Sequence, residues 1–121
     1  MIRADWVVIG GGPSGCTFAT LMARRGHDVL IVDKVVNPPA AVGESLLPFG
    51  NRVLEKMGVD MSGFIRKNGA VFTRNGRGTR FAFADAERTP WDHAHQVPRD
   101  VFDAQFRALA RDAGVRFETA R

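Results

Sequence analysis

The first apolar cluster, Trp6-Val7-Val8-Ile9, is unbroken by any polar residue. Such a run predicts a short strand buried on both faces of a parallel sheet. From Pro13 the period changes. Phe18, Leu21 and Met22 recur at helical spacing, Arg24 and Arg25 fill the last turn, and Gly26 stands where a helix C-cap glycine belongs. Residues 28–32 (DVLIV) read as a second buried strand ending at Asp33. Strand, glycine-rich turn, helix and strand in this order form a βαβ unit with a right-handed crossover.

Beyond it the rhythm is more varied. Pro38 and Pro39 make residues 35–43 an extended loop. Leu46, Leu47, Val53, Leu54 and Met57 predict a helix over 45–58 closed by Gly58, with Pro48 tolerable only in its first turn. Residues 70–74 and 79–85 read as antiparallel strands joined by Asn75-Gly76-Arg77-Gly78. Val101, Phe102, Phe106, Leu109 and Ala110 give an amphipathic helix over 99–112 ended by Gly114, and residues 115–119 a last strand. The expectation is an α/β fold: a Rossmann-like βαβ domain with a small antiparallel hairpin insertion, its sheet left incomplete. Residues 1–121 are read as the N-terminal part of a single domain whose remainder, with any substrate domain, lies elsewhere.

The turn between the first strand and helix carries the chemistry. Gly10-x-Gly12-x-x-Gly15 has the dinucleotide-binding spacing, in the required context of strand before and helix after. Gly10 permits a tight turn, Gly12 lets a pyrophosphate approach the backbone, and Gly15 lets helix and strand pack closely. The helix start at Pro13-Ser14-Gly15 offers unpaired N–H groups and the positive end of a dipole. Asp33, about 20 residues further on, is placed to accept hydrogen bonds from a ribose. At this level NAD, FAD and a merely structural turn all remain open. Cys16, the single cysteine, is read as a small buried residue facing the sheet.

Composition narrows the class. Hydrophobic residues make up 45% and charged residues 25%, ordinary for a folded globular chain. No apolar run is long enough to cross a membrane, no secretory signal pattern opens the chain, and one cysteine suits a reducing compartment, so a cytoplasmic location is expected. The net charge of +4 arises wholly after residue 60, from basic residues dispersed among acids and apolar positions. That dispersal argues against nucleic acid as a partner. His27, His93 and His95 lack the matched acids or thiols of a metal centre, and no metal is expected. Trp91 is read as a cover for the hairpin, with a substrate contact as the alternative.

Five stretches together, VVIGGGPSG, IVDK, VGESLLP, KNGAVF and QVPRDVFDAQFRALARDAG, resemble the flavin-dependent, tryptophan-halogenase-like halogenases. More broadly they resemble the FAD-dependent monooxygenase superfamily, which also holds aromatic hydroxylases and geranylgeranyl reductases. The resemblance runs through essentially the whole chain, and Val42-Gly43-Glu44-Ser45-Leu46-Leu47-Pro48 is its most specific part. It implies FAD as cofactor, with Asp33 and Lys34 near the adenosine and Val42, Gly43, Glu44 and Ser45 beside the flavin ring. A simple helix cap at Glu44 and Ser45 is the competing reading. Arg99 matches an arginine that reaches FAD in the superfamily; by itself it also reads as an exposed charge at a helix start. Lys67 matches the lysine that directs hypohalous acid, formed by way of a flavin hydroperoxide, toward substrate. Read alone, it is equally an exposed loop lysine beside Arg66.

The implied function is the FAD-binding portion of a halogenase acting on an electron-rich aromatic, free or carrier-tethered, with a separate flavin reductase supplying reduced FAD. The alternatives are an FAD-dependent aromatic hydroxylase or geranylgeranyl-reductase-like oxidoreductase and, in another class, a non-catalytic nucleotide-binding fragment. The family's later Gly-Asp motif and its WxWxIP stretch have no counterpart in these residues.

Overall fold

The computed structural model describes residues 1–34, 41–88 and 90–120. In chain order the elements are β1 (Trp6–Ile9), α1 (Pro13–Ala23), β2 (Val29–Asp33), α2 (Asn51–Met57), β3 (Ile65–Lys67), β4 (Gly69–Arg74), β5 (Arg77–Ala82), β6 (Ala94–Gln96), α3 (Arg99–Asp112) and β7 (Arg116–Thr119). They fall into two compact units, one of Met1–Val42 with Arg99–Arg121, the other of Gly43–Pro98.

The first unit is a parallel sheet in the order β1-β2-β7, with Val8 beside Ile31 and Ile31 beside Phe117. β2 is central, and Val29, Leu30 and Ile31 are buried as its apolar run demands. β1 departs from expectation. Its run predicts burial on both faces, yet Val7 is 59% and Ile9 91% exposed. Alternation along an edge strand explains this. Trp6 and Val8 face α1, where Trp6 meets the Phe18 ring edge-on, while Val7 and Ile9 face away.

α1 has Pro13 in its first turn and Gly12 as N-cap, with no side chain capping it. Its regular turns end at Ala23, and Gly26 (φ +90°) closes it, the Gly26 N–H bonding to Ala23 O and His27 N–H to Met22 O. α3 packs against α1 with Phe102, Phe106 and Ala110 buried, so the predicted apolar stripe is the packed one. Each buried phenylalanine contributes about 1.5–3 kcal/mol relative to exposure.

In the second unit the helix predicted over 45–58 is shorter. Pro48 lacks an N–H and drives Leu47 into an extended conformation (φ −111°, ψ 150°), so no helix can run through it. Pro48–Gly50 form a single 3-10 turn, α2 follows, and Gly58 (φ +76°) ends it. Ser45 instead bridges Gln96, which removes the helix-cap reading of Glu44 and Ser45. β3 and β6 pair antiparallel, Lys67 opposite Ala94 and Arg66 opposite His95, where the chain reads as loop. The hairpin β4–β5 has a two-residue turn, tighter than the four residues expected, because Asn75 (φ +50°) and Gly76 (φ +75°) both adopt the left-handed region that such a turn requires. Trp91 packs beside α2: its indole N–H donates to Glu55 at 2.7 Å and its ring meets Phe49 edge-on.

The approach of α1 to β1 is the tightest constraint. A Cβ on residue 15 would lie 2.0 Å from Gly10 O and 3.3 Å from Val8 Cγ1. Gly15→Ala is therefore expected to cost about 3 kcal/mol or more, since backbone on both sides must yield. Urea unfolding followed by circular dichroism measures it; a loss below about 1 kcal/mol contradicts the packing described.

Candidate cofactor site

Gly10 leaves β1 at φ +101°, its N–H still bonded to Val32 O at 2.8 Å. Only glycine adopts that conformation without strain. Gly12 differs: its φ of −80° is ordinary, and a Cβ there would meet nothing within 4 Å. The space beside Gly12 is open, at the uncapped start of α1, where Pro13 has no N–H and those of Ser14 and Gly15 precede the first intrahelical bond. That combination suits an anion. A cleft of about 220 Å³ lies at the ends of β1 and β2, lined by Ile9, Gly10, Val32, Asp33, Lys34 and Ala120. The expected phosphate turn, acid and neighbouring lysine are thus brought to one place. A dinucleotide such as FAD fits the donor set of this turn.

Asp33 also works inside the turn. Its Oδ2 accepts the Gly11 N–H at 2.8 Å and lies 3.6 Å from the Arg107 guanidinium, with the side chain still 22% exposed. Arg107 itself, unassigned from sequence, is buried and donates Nε–H to Gly11 O at 2.9 Å. The available signal was spacing. Arg99, Asp103 and Arg107 recur every four residues along α3, and a helix aligns such positions on one side. Cys16 is fully buried, donates weakly to Gly11 O at 3.4 Å, and burial pushes its thiol up to about 11.

Arg99 is neither exposed nor isolated. Its fork binds both Asp103 oxygens at 2.7 and 3.0 Å, which holds the guanidinium above its ordinary range, and Nη1 donates to Val42 O at 2.8 Å. It therefore ties Val42 to the start of α3.

Within the second unit, Gly43 takes φ +104°, Glu44 O accepts the Val97 N–H at 2.8 Å and the Leu46 N–H donates to His95 O at 3.0 Å. Residues 44–46 thus run along β6. Lys67 reaches this segment from β3: Nζ donates to Ser45 Oγ at 2.5 Å and to Leu46 O at 2.6 Å, with the Phe83 ring centroid 5.5 Å away. Lys67 is half-buried and fixed, not a free loop lysine. Opposite Arg66, His95 is pushed below the usual imidazole range by burial, then by His93 and Arg66. A hydrogen bond from His93 holds Asp92 below the usual carboxylate range. Among the described residues no group of His, Cys, Asp and Glu is arranged to hold a metal ion, and no helix is long and apolar enough to cross a membrane.

Residues 5–95 match the tryptophan halogenase family. The tryptophan 2-halogenase of Chondromyces crocatus is 36% identical over 114 residues, covering 91% of this chain and 21% of that protein. A flavoprotein/dehydrogenase from Cytophaga hutchinsonii superposes with a TM-score of 0.86 at 37% identity, over 98% of this chain and 30% of that one. The myxobacterial chondrochloren halogenase, a variant of FAD-dependent halogenases, superposes at 0.83 with 32% identity, over 96% of this chain and 28% of its own. The chain thus spans between a fifth and a third of these relatives.

Gly12 and Gly15 separate in experiment. Gly12→Ala places a methyl in open space, so stability changes by less than about 1 kcal/mol. Affinity for FAD, titrated by flavin fluorescence, falls about tenfold or more as the phosphate approach is blocked. Cys16 gives a pH signature. Its thiol is raised from 9.0 to about 11, so the folded state holds the proton more tightly and stability falls as pH rises through that window. Denaturation midpoints of Cys16→Ala, compared with the parent across pH 8–11, should lack this component.

Proposed function

The chain belongs to the tryptophan halogenase family, which is FAD-dependent, and from that premise we propose that it supplies the FAD-holding part of a halogenase acting on an electron-rich aromatic. The observation that carries the reading is Lys67, whose ammonium is fixed against Ser45 and Leu46 in the family's most specific stretch. When bound, FAD supplies the oxygen-activating redox chemistry. The chain's own residues bind and orient. The N–H groups of Gly12, Ser14 and Gly15 take the pyrophosphate, Asp33 and Lys34 the adenosine end. Val42, Gly43, Glu44 and Ser45 line the flavin ring, with Arg99 holding Val42 in place.

Lys67 acts on the halogen carrier. Its Nζ–H donates to the oxygen of a hypohalous acid, and this orients the halogen outward. When an aromatic carbon takes the halogen, the halogen–oxygen bond breaks. The departing oxygen leaves as water, its second proton drawn from Nζ and returned from the ring carbon. A lysine serves because its donors rotate about a single charge and because partial burial against Phe83 strengthens the hydrogen bond. The substrate is a phenol, pyrrole or indole, free or tethered to a carrier, and a separate cytoplasmic reductase delivers reduced FAD.

The close superposition on the Cytophaga flavoprotein/dehydrogenase favours a second reading, an FAD-dependent oxidoreductase with no halide step. One assay decides: the protein with reduced FAD, oxygen, bromide and an indole or phenol. Lys67→Ala should lose about 100-fold or more of bromination, the scale of a positioned proton donor, while FAD affinity stays within about threefold. Undiminished bromination in that variant removes Lys67 from the chemistry. Oxidation of the aromatic without bromination in the parent protein supports the second reading.

A further inference from the structure

We infer that Arg107 is a positioning residue for the phosphate-binding turn: it aims the Gly12 N–H at the ligand. The inference rests on reading that turn as a dinucleotide site.

Arg107 is only 4% exposed, near the middle of α3 and 96 residues from the turn it touches. A guanidinium taken out of water is costly unless its donors and charge are used. Here both are. Nε–H donates to Gly11 O at 2.9 Å, and Nη2 stands 3.6 Å from Asp33 Oδ2, which in turn accepts the Gly11 N–H at 2.8 Å. Residue 11 is thus held at both ends by side chains, its N–H by Asp33 and its carbonyl by Arg107, with Cys16 Sγ adding a weaker contact at 3.4 Å.

The consequence follows from peptide geometry. The Gly11 carbonyl and the Gly12 N–H belong to one planar trans peptide, so they point in opposite directions. Drawing the carbonyl inward to Arg107 turns the Gly12 N–H outward. None of the hydrogen bonds among the described residues takes that N–H, and the space beside Gly12 is open for 4 Å. The donor faces the place where a pyrophosphate is expected. The same guanidinium offsets the Asp33 carboxylate, whose charge would otherwise repel the phosphates. The fork is what allows both tasks at once, since Nε and Nη2 project to different acceptors; an ammonium is a single point.

The test uses the protein with Arg107→Met and Arg107→Lys. FAD and ADP serve as probes, their affinities measured by calorimetry at a temperature where every variant is folded. Amide hydrogen exchange at Gly11 is followed in the same samples. The expected result for Arg107→Met is a loss of about tenfold or more for both ligands, the scale of one charge-assisted hydrogen bond. Gly11 exchange should accelerate well beyond any change at the amides of β1 and β2, a local signature that a general loss of stability does not produce. Arg107→Lys should recover only a minor part of the affinity, and it carries the test if the methionine variant does not fold. Ligand affinities within twofold of the parent, with Gly11 exchange unchanged, overturn the inference. A parent protein that binds neither FAD nor ADP overturns the dinucleotide reading itself, whereas binding indifferent to Arg107 overturns only its assigned role.

Discussion

The first unit depends on one missing methyl. α1 can start where it does only because residue 15 has no Cβ to meet the Gly10 carbonyl, which would otherwise stand 2.0 Å away. That close approach sets the start of the helix directly over the end of β1. The positive end of the α1 dipole and its unpaired N–H groups therefore face the ends of the strands, beside Asp33. Gly10 turns the chain, Gly15 admits the helix, and Gly12 is left with open space. The three glycines of one motif thus meet three different steric conditions.

Charge sets the second constraint. α3 buries Asp103 and Arg107 among phenylalanines, an arrangement that opposes folding unless each charge is matched. Asp103 is matched by the Arg99 fork within the same helix, and Arg107 by the Gly11 carbonyl of the glycine turn and the Asp33 carboxylate at the end of β2. The apolar contacts of Phe102, Phe106 and Ala110 are tolerant of small shifts. The ionic ones are directional. Together they fix which turn of α3 stands behind the glycine turn, a level of definition that apolar packing alone does not supply.

How legible this was depended on the range of the cause. The βαβ unit, the end of α1 at Gly26, α3 and the Asn75-Gly76 turn were all readable, because each follows from spacing or backbone freedom within a few residues. Pro48 marks its own effect, yet the apolar spacing of Leu46 and Leu47 points to a helix that starts before it, where the backbone is extended. β3 and β6 were missed because three-residue strands show no period; they exist through pairing between residues some thirty apart. The glycine turn is legible from its spacing and context; the role of Arg107 is not. Its partner is 96 residues away, and the four-residue spacing of Arg99, Asp103 and Arg107 aligns the three on one side of the helix without saying that this side is buried. The extended loop read at 35–43 falls largely outside the described residues.

β6 explains why Lys67 and Ser45 meet at all. Ile65–Lys67 pairs with β6 on one side, and residues 44–46 hydrogen-bond to it on the other, through Glu44 O, Leu46 N and the Ser45–Gln96 bridge. Lys67 must therefore reach across β6 to touch Ser45 and Leu46. Directly opposite it in register stands Ala94, fully buried and offering only a methyl, so the four-carbon stem has room to cross. Strand spacing near 4.8 Å makes the span from β3 to the 44–46 segment about two strand widths, a gap closed by the extended lysine stem together with its hydrogen bonds to Ser45 Oγ and Leu46 O. The residue type at 67, the small residue at 94 and the bridge at 45 are thus parts of one geometric requirement. An ammonium placed in this way is held by backbone pairing on both sides of β6, so its position follows from the sheet and not from the freedom of its own side chain.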